Sequence, residues 1–266
     1  MINEIEQTAT AFANARQQAR GLESYPGTIP VSLPQAYQVQ DQIVAKMARP
    51  IAGWKVGRIL GAQSATLGAD RLAGPIFDDH IYYVGTGEDV SVPVYAEGFS
   101  AAEAEFMMRI GTTPDPAKLS YTLAEAAAMI DDVRVGIEIA SSPFAGINDN
   151  GATVTAADLG NSKALVIGKA LSLPADSDFA TWPILAEIDG VQVGEAVATG
   201  LPDGPIGAVR FLLENLAGRG IELHKGQWIS TGAITGVHII RVGQKVRAQF
   251  GDKYTVQCKT KAALPV

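Results

Sequence analysis

Two short segments concentrate carboxylates where apolar residues dominate. In Ala101-Ala102-Glu103-Ala104-Glu105-Phe106-Met107-Met108-Arg109, a strand would put residues two apart on one side, about 6.5–7 Å apart along the backbone. Glu103 and Glu105 would then share one face of an otherwise apolar strand. In Val133-Arg134-Val135-Gly136-Ile137-Glu138-Ile139, the aliphatic residues at alternate positions form one face. Glu138 emerges from the other, beside the small Gly136 and Ala140. A lone carboxylate there is costly to bury unless it is paired or metal-bound. Three carboxylates without His or Cys ligands suit a hard divalent ion, magnesium or manganese, bound through oxygen. The alternative is a solvated sheet surface, where acidic residues are common.

A lysine and two aspartates are the next candidates. Lys55 stands between apolar neighbours in Gly53-Trp54-Lys55-Val56-Gly57. Partly buried, it could move a proton or hold a carboxylate; otherwise it is a lysine snorkelling to the surface. Gly74-Pro75-Ile76-Phe77-Asp78-Asp79-His80 ends a strand with adjacent acids, which either flank a site or cap a turn. There is no His-Glu-x-x-His helix, Gly-x-Ser-x-Gly elbow or Walker loop. The three histidines, His80, His224 and His238, are too few and too scattered for a His-rich metal site.

The elements that must position these groups are mostly strands. Helical spacing is expected over residues 2–19, through Ile2, Ile5, Ala9 and Phe12, and over residues 33–48, where Pro34 suits a first turn. From residue 51 onward, short strands are punctuated by glycine. They are expected at 54–56, 75–77, 91–94, 101–110, 133–140, 164–167 and 184–193, the last folding back at Asp189-Gly190. A helix over 206–216 and strands at 228–231, 237–242, 245–250 and 254–259 complete the chain. A helical segment, residues 1–50, thus precedes a β-rich body, residues 51–266.

Composition narrows the function classes. The 266 residues are 47% hydrophobic and 18% charged, enough to fill a sizeable core. A net charge of −7, with no Lys/Arg run, argues against nucleic-acid or anionic-membrane partners. An acidic substrate would need a local cation. The single cysteine, Cys258, excludes an intrachain disulfide or a multi-cysteine metal site. The acidic opening Met1 to Glu6 lacks a signal-peptide order. No apolar stretch approaches the roughly 20 residues that span a bilayer. A cytoplasmic location is the expectation.

Taken together, Gly53 to Gly57, the Gly-Pro-x-x-Asp-Asp of 74–79, Glu103-x-Glu105 and Glu138 resemble, in this order, the fumarylacetoacetate hydrolase superfamily. The closest likeness is to its 2-keto-4-pentenoate hydratase and 4-oxalocrotonate decarboxylase branch. Ala36 to Gln40, Asp158 to Gly168 and Gly226 to Gly232 extend the likeness over roughly residues 30 to 255. The resemblance implies an α+β fold, a mixed β-roll catalytic body with an N-terminal helical segment. It also implies Mg2+ or Mn2+ held by Glu103, Glu105 and Glu138, and a small 2-keto or enol acid as substrate. Lys55 and Asp79 would be catalytic, the first handling a proton or the substrate carboxylate, the second acting as base or orienting water. Asp158, Ser162, Lys163 and Thr231 would bind substrate.

The implied reaction is hydration of a 2-hydroxy-2,4-dienoate in aromatic-compound breakdown. Decarboxylation of a 4-oxalocrotonate-type acid, carbon–carbon hydrolysis of acylpyruvates and a non-catalytic partner-subunit role are the alternatives. No histidine precedes His80, which argues against the hydrolases, whose mobile N-terminal lid supplies a His–Glu pair. Homo-oligomerisation, or association with a paralogous pathway enzyme, is also expected. The sequence departs from the family where Trp54 replaces a frequent Arg, at Ser100, at Ser141-Ser142-Pro143, and at Lys163, where a small residue is usual. Lys163 is expected to supply a relocated charge for the substrate's tail.

Overall fold

A computed structural model describes residues 4–266. Met1, Ile2 and Asn3 lie outside the described residues, so the expected first helix is seen as α1 (Glu4–Gln17) without its Ile2 end. It packs against α2 (Leu33–Met47), whose start is set by Ser32 capping the amide of Gln35 and by Pro34 in the first turn. Phe12 of α1, Ala36 and Ile43 of α2, and Phe77, Phe99 and Leu159 of the body share one buried cluster.

The body contains thirteen strands in two sheets. β1 (Ile51–Arg58), β2 (Arg71–Phe77), β3 (Ile81–Tyr83), β5 (Phe99–Ile110), β6 (Ile130–Ser142), β7 (Ser162–Ala170) and β10 (Trp228–Ser230) form the larger sheet, in the order β2-β1-β10-β5-β6-β7-β3. The short β11 (His238–Ile239) also pairs with β5. β4 (Ser91–Val94), β8 (Ile184–Ile188), β9 (Val191–Ala196), β12 (Lys245–Phe250) and β13 (Tyr254–Ala262) form the second sheet, in the order β4-β13-β12-β8-β9. The expected hairpin at Asp189-Gly190 joins β8 to β9. Of the expected strand over 237–242, only β11 forms.

Four helices complete the body. α6 (Gly204–Gly218) was expected, whereas α3 (Gly61–Leu67), α4 (Leu123–Ala128) and α5 (Ala152–Ala157) are too short to show a clear helical period. Among the described residues, no helix is long and apolar enough to cross a membrane.

Alternation along β5 and β6 separates core from chemistry. Ala102, Ala104, Phe106 and Met108, with Val135, Ile137 and Ile139, join the main core, which also takes in Val246, Phe250 and Val256 of the second sheet. Phe106 is the pivot of that packing, with ring centroids 5.2 Å from Phe250 and 4.8 Å from Phe179. The opposite face of β5 and β6 carries Glu103, Glu105 and Glu138.

Candidate metal centre and active site

The antiparallel pairing of β5 with β6 places Glu103 opposite Glu138, and Glu105 opposite Gly136. The carboxylates thus meet on one face across the ladder. Glu103 is 4% exposed, and Glu105 and Glu138 are fully buried, which removes the solvated-surface alternative. One oxygen from each lies within 4.8 Å of the others.

Glu105 is oriented by the end of β10. Its Oε2 accepts a short hydrogen bond from Ser230 Oγ and one of 2.6 Å from the Gly232 amide. Gly232 has φ +105°, a backbone conformation that a side chain would strain. The other oxygen, Oε1, is buried without a hydrogen-bond partner, as is Oε1 of Glu138.

Lys55, on β1, reaches the same cluster. Its Nζ lies 3.0 Å from Glu138 Oε2 and 3.7 Å from Glu103 Oε1, and donates to Asn161 Oδ1 at 3.0 Å. Asn161 ends a turn in which Leu159, Gly160 and Asn161 all have left-handed backbones. The turn fits beneath β2 only because position 74 is glycine, where a Cβ would overlap the Leu159 carbonyl. Asn161 Nδ2 is held in turn by Asn148 Oδ1 at 3.2 Å.

The electrostatics follow from burial and crowding. Burial, reinforced by Glu138 and Glu103, pushes the Glu105 pKa well above the usual carboxylate range. Glu138 is raised by burial, with Lys55 opposing. Burial alone would lower the Lys55 pKa, but Glu103, Glu138 and Glu105 outweigh it and raise it. One lysine against three carboxylates leaves an excess of negative charge, and two buried oxygens lack a partner. An all-oxygen donor set of this kind fits a hard divalent cation.

A cavity of about 570 Å³ opens onto this cluster. Lys55, Glu103, Asn161 and Asn148 line it on one side, and the loop from Ala233 to Val237 on another. Arg58 also lines it and, among the described residues, has no carboxylate partner.

The remaining expected site residues divide. Ser162 is buried at the start of β7 and faces Glu138. Thr231 is buried beside the glutamates, but its hydroxyl donates to the Phe106 carbonyl at 2.9 Å, which leaves Ser230 and Gly232 to contact Glu105. Asp158 is fully buried with both oxygens engaged, by Arg16 Nε at 2.6 Å and Ser142 Oγ at 2.6 Å. It ties α1 to the body.

Asp79 and Lys163 lie apart from the glutamates, against the sequence expectation that they join Lys55 in one site. Asp79 follows Phe77, the partner of Ile51, about 13 Å along β1 from Lys55 at the usual strand rise. The short 3-10 turn over Asp78–His80 swings its carboxylate out to an ion pair with Arg49. Asp79 and Lys163 line a different cavity, of about 250 Å³.

Asn161, Ser230, Gly232 and Arg58 were not among the expected site residues. Ser230 and Gly232 flank the expected Thr231, and strand alternation there was the available signal. Asn161 depends on a left-handed turn that no local periodicity reveals.

No protein-family model matches the chain. Among solved structures, 4-oxalocrotonate decarboxylase from Pseudomonas putida G7, complexed with magnesium and adipate, is 20% identical, with a TM-score of 0.76 over 98% of this chain and 99% of that one. Fumarylpyruvate hydrolase from Pseudomonas aeruginosa, in complex with Mn2+ and pyruvate, is 17% identical, with a TM-score of 0.56 over 79% of this chain and 89% of that one. A fumarylacetoacetate hydrolase family protein from Yersinia pestis CO92 is 15% identical, with a TM-score of 0.56 over 79% and 93%. The chain therefore has the fold of the fumarylacetoacetate hydrolase superfamily, and matches the decarboxylase structure over nearly the full length of both chains.

Proposed function

We propose that the chain is a divalent-metal-dependent lyase of this superfamily, hydrating a 2-hydroxy-2,4-dienoate to a 4-hydroxy-2-keto acid. The observation that carries the proposal is the buried cluster of Glu103, Glu105 and Glu138, with two unpartnered oxygens, at the wall of a cavity large enough for a small acid. The decarboxylase and the hydrolase of the same fold are complexed with magnesium and Mn2+, which supports a divalent ion at these glutamates. Bound by the three glutamates, such an ion would supply Lewis-acid polarisation of a chelated 2-keto acid.

The chain's own groups divide the remaining work. Lys55 Nζ, at the cavity edge of the cluster, is the group placed to hold the substrate carboxylate or carry a proton. Asn161 fixes its direction. Ser230 and the Gly232 amide hold Glu105 so that one oxygen stays turned to the site. Asp79, outside this cavity, has no part in these steps in the arrangement described.

Decarboxylation of a 4-oxalocrotonate-type dicarboxylate is the second reading. It is favoured by the likeness to the decarboxylase over 98% of the chain and by Arg58, a cation in the cavity wall that is unpaired among the described residues and could hold a distal carboxylate.

The test follows the ultraviolet loss of 2-hydroxypenta-2,4-dienoate and, in parallel, of 4-oxalocrotonate, each with magnesium and then with excess EDTA. Magnesium-dependent loss of the dienoate to the 4-hydroxy-2-keto acid is the expected result. Loss of 4-oxalocrotonate alone, with carbon dioxide released, would replace hydration by the second reading. No turnover of either would remove both.

A further inference from the structure

The 250 Å³ cavity that holds Asp79 and Lys163 shares no lining residue with the glutamate cavity. Its buried end is built around Lys163, 7% exposed on β7. Among the described residues, the ammonium has only uncharged neighbours within hydrogen-bonding reach. It lies 3.4 Å from His80 Nε2, 3.4 Å from the Tyr95 hydroxyl and 4.8 Å from the centre of the Tyr95 ring. Among the described residues, no carboxylate lies within 4 Å of it, a costly state for a buried charge.

The rest of the lining adds more positive charge. Arg16, Arg49 and Lys261 line the same cavity. Arg16 is spent on Asp158 and Arg49 on Asp79, while Lys261 has no acidic partner among the described residues. These cations act on one another. Burial lowers the Lys163 pKa to about 7, with Arg16 and Arg49 adding to the effect. Burial, then Lys163, Arg49 and Arg16, holds His80 neutral, at about 2. With Arg16 and Arg49 paired, Lys163 and Lys261 are the cations of this lining that have no acidic partner among the described residues. Met47, Phe77, Pro93 and Leu264 form its apolar wall, which suits a short hydrocarbon chain better than a phosphate.

We propose that this cavity is a second binding site, for a small organic carboxylate, with Lys163 and the Tyr95 hydroxyl holding the carboxylate at the buried end. Lys261 stands nearer solvent and attracts the anion to the opening. The site is separate from the glutamate centre and does not depend on the reaction assigned to it.

The test uses butyrate as the probe and inorganic phosphate as the comparison, on the full chain in buffer containing EDTA. Calorimetric titration is expected to show one saturable butyrate site, kept in Glu103→Gln and weakened by about tenfold or more in Lys163→Met, the loss typical of removing a charged hydrogen-bond partner. Phosphate is expected to bind more weakly than butyrate. On the unaltered protein, butyrate should also slow acetylation of Lys163 by acetic anhydride, read by peptide mass, while exposed Lys225 reacts as before. That second readout stands even if Lys163→Met fails to fold. Absence of saturable butyrate binding, equal affinity in Lys163→Met, or unchanged Lys163 labelling would each overturn the proposal. Tighter binding of phosphate than of butyrate would overturn the organic-acid assignment.

Discussion

Lys55 Nζ lies 3.0 Å from Glu138 Oε2, and both side chains are almost wholly out of solvent. Asn161 closes the pair by accepting from the same ammonium. Lys55 is therefore both the nearest cation to the proposed reaction and the counter-charge that makes three buried carboxylates tolerable. Removing one partner of a buried ion pair costs about 3–5 kcal/mol, because the remaining charge is left uncompensated. Lys55→Met should accordingly melt well below the unaltered protein in EDTA, and magnesium should restore part of the difference. Turnover should fall by about 10²-fold or more, as when a proton-transfer group is lost. Melting curves with and without magnesium, alongside initial rates, check both halves. Equal melting temperatures in EDTA would contradict the ion-pair account.

Glu105→Gln separates metal binding from local architecture. Its side-chain carbonyl can still accept from Ser230 Oγ and the Gly232 amide. It also removes a group whose ionisation burial, Glu138 and Glu103 all oppose. In EDTA the variant should melt at least as high as the unaltered protein. With magnesium, the gain in melting temperature that binding to the folded state alone produces should be largely lost. Differential scanning calorimetry across a magnesium series reads both effects. A full magnesium gain in the variant would remove Glu105 from the proposed ligands.

Arg58 bears on which acid the cavity takes. It has no acidic partner among the described residues and shares the cavity with Lys55 and Glu103. If it holds a distal carboxylate, Arg58→Gln should raise KM for 4-oxalocrotonate by about tenfold or more, with little change for the monocarboxylate dienoate. A lost charge-assisted hydrogen bond, worth about 1.5–3 kcal/mol, sets that scale. Equal effects on the two substrates would mean that Arg58 shapes the cavity without reading the tail.

The glutamate cluster was legible because strand alternation is a strong local signal, and Glu103, Glu105 and Glu138 sit in unmistakable apolar strands. Which strands pair was not legible, so the direct opposition of Glu103 and Glu138 had to come from the structure. Lys55 was found through the glycines around it, but its partner Asn161 depends on three successive left-handed residues that leave no periodic trace. Asp79 shows the limit most clearly. Adjacency in sequence to an apolar strand says nothing about which end of the sheet its turn reaches, and β2 runs antiparallel to β1, carrying Asp79 away from Lys55. Helices α3 and α5 were missed because one or two turns cannot establish a period.

The buried amine of Lys163 predicts a specific pH dependence. Its pKa is about 7 in the folded protein against an ordinary value of 10.5. Between those values the unfolded chain binds more protons, so stability gains from this group as pH rises through about 7 to 10.5. Sharing the cavity with Lys163 are Arg16, Arg49, Lys261, Asp79, His80, Tyr82 and Tyr95, with Asp158 behind Arg16. Of the two that share its contacts, His80 titrates below this window and Tyr95 is raised above its usual value. Lys163→Met should therefore melt higher than the unaltered protein at pH 6.5, by at least about 2–4 °C, the shift per 1 kcal/mol in a chain of this size. The gap should narrow steadily toward pH 10. Thermal melts in buffers free of organic acids read the difference, and a gap independent of pH would refute the assignment.

Asp158 distinguishes a structural carboxylate from a substrate-binding one. Arg16 Nε and Ser142 Oγ take its two oxygens, and Arg16 Nη2 also bonds its main-chain carbonyl at 3.2 Å. The pair links the last turn of α1 to the segment leading into β7. Asp158→Ala leaves the Arg16 guanidinium buried without its anion, at a cost of about 3–5 kcal/mol. Because the pair bridges the helix to the body, loss should concentrate there. Amides of α1 should exchange with deuterium faster than in the unaltered protein, while those of β5 and β6 keep most of their protection. If the carboxylate bound substrate instead, KM would rise at temperatures where the variant is fully folded. The expected outcome is unchanged KM with a lower melting temperature, since no free oxygen of Asp158 is directed into either cavity.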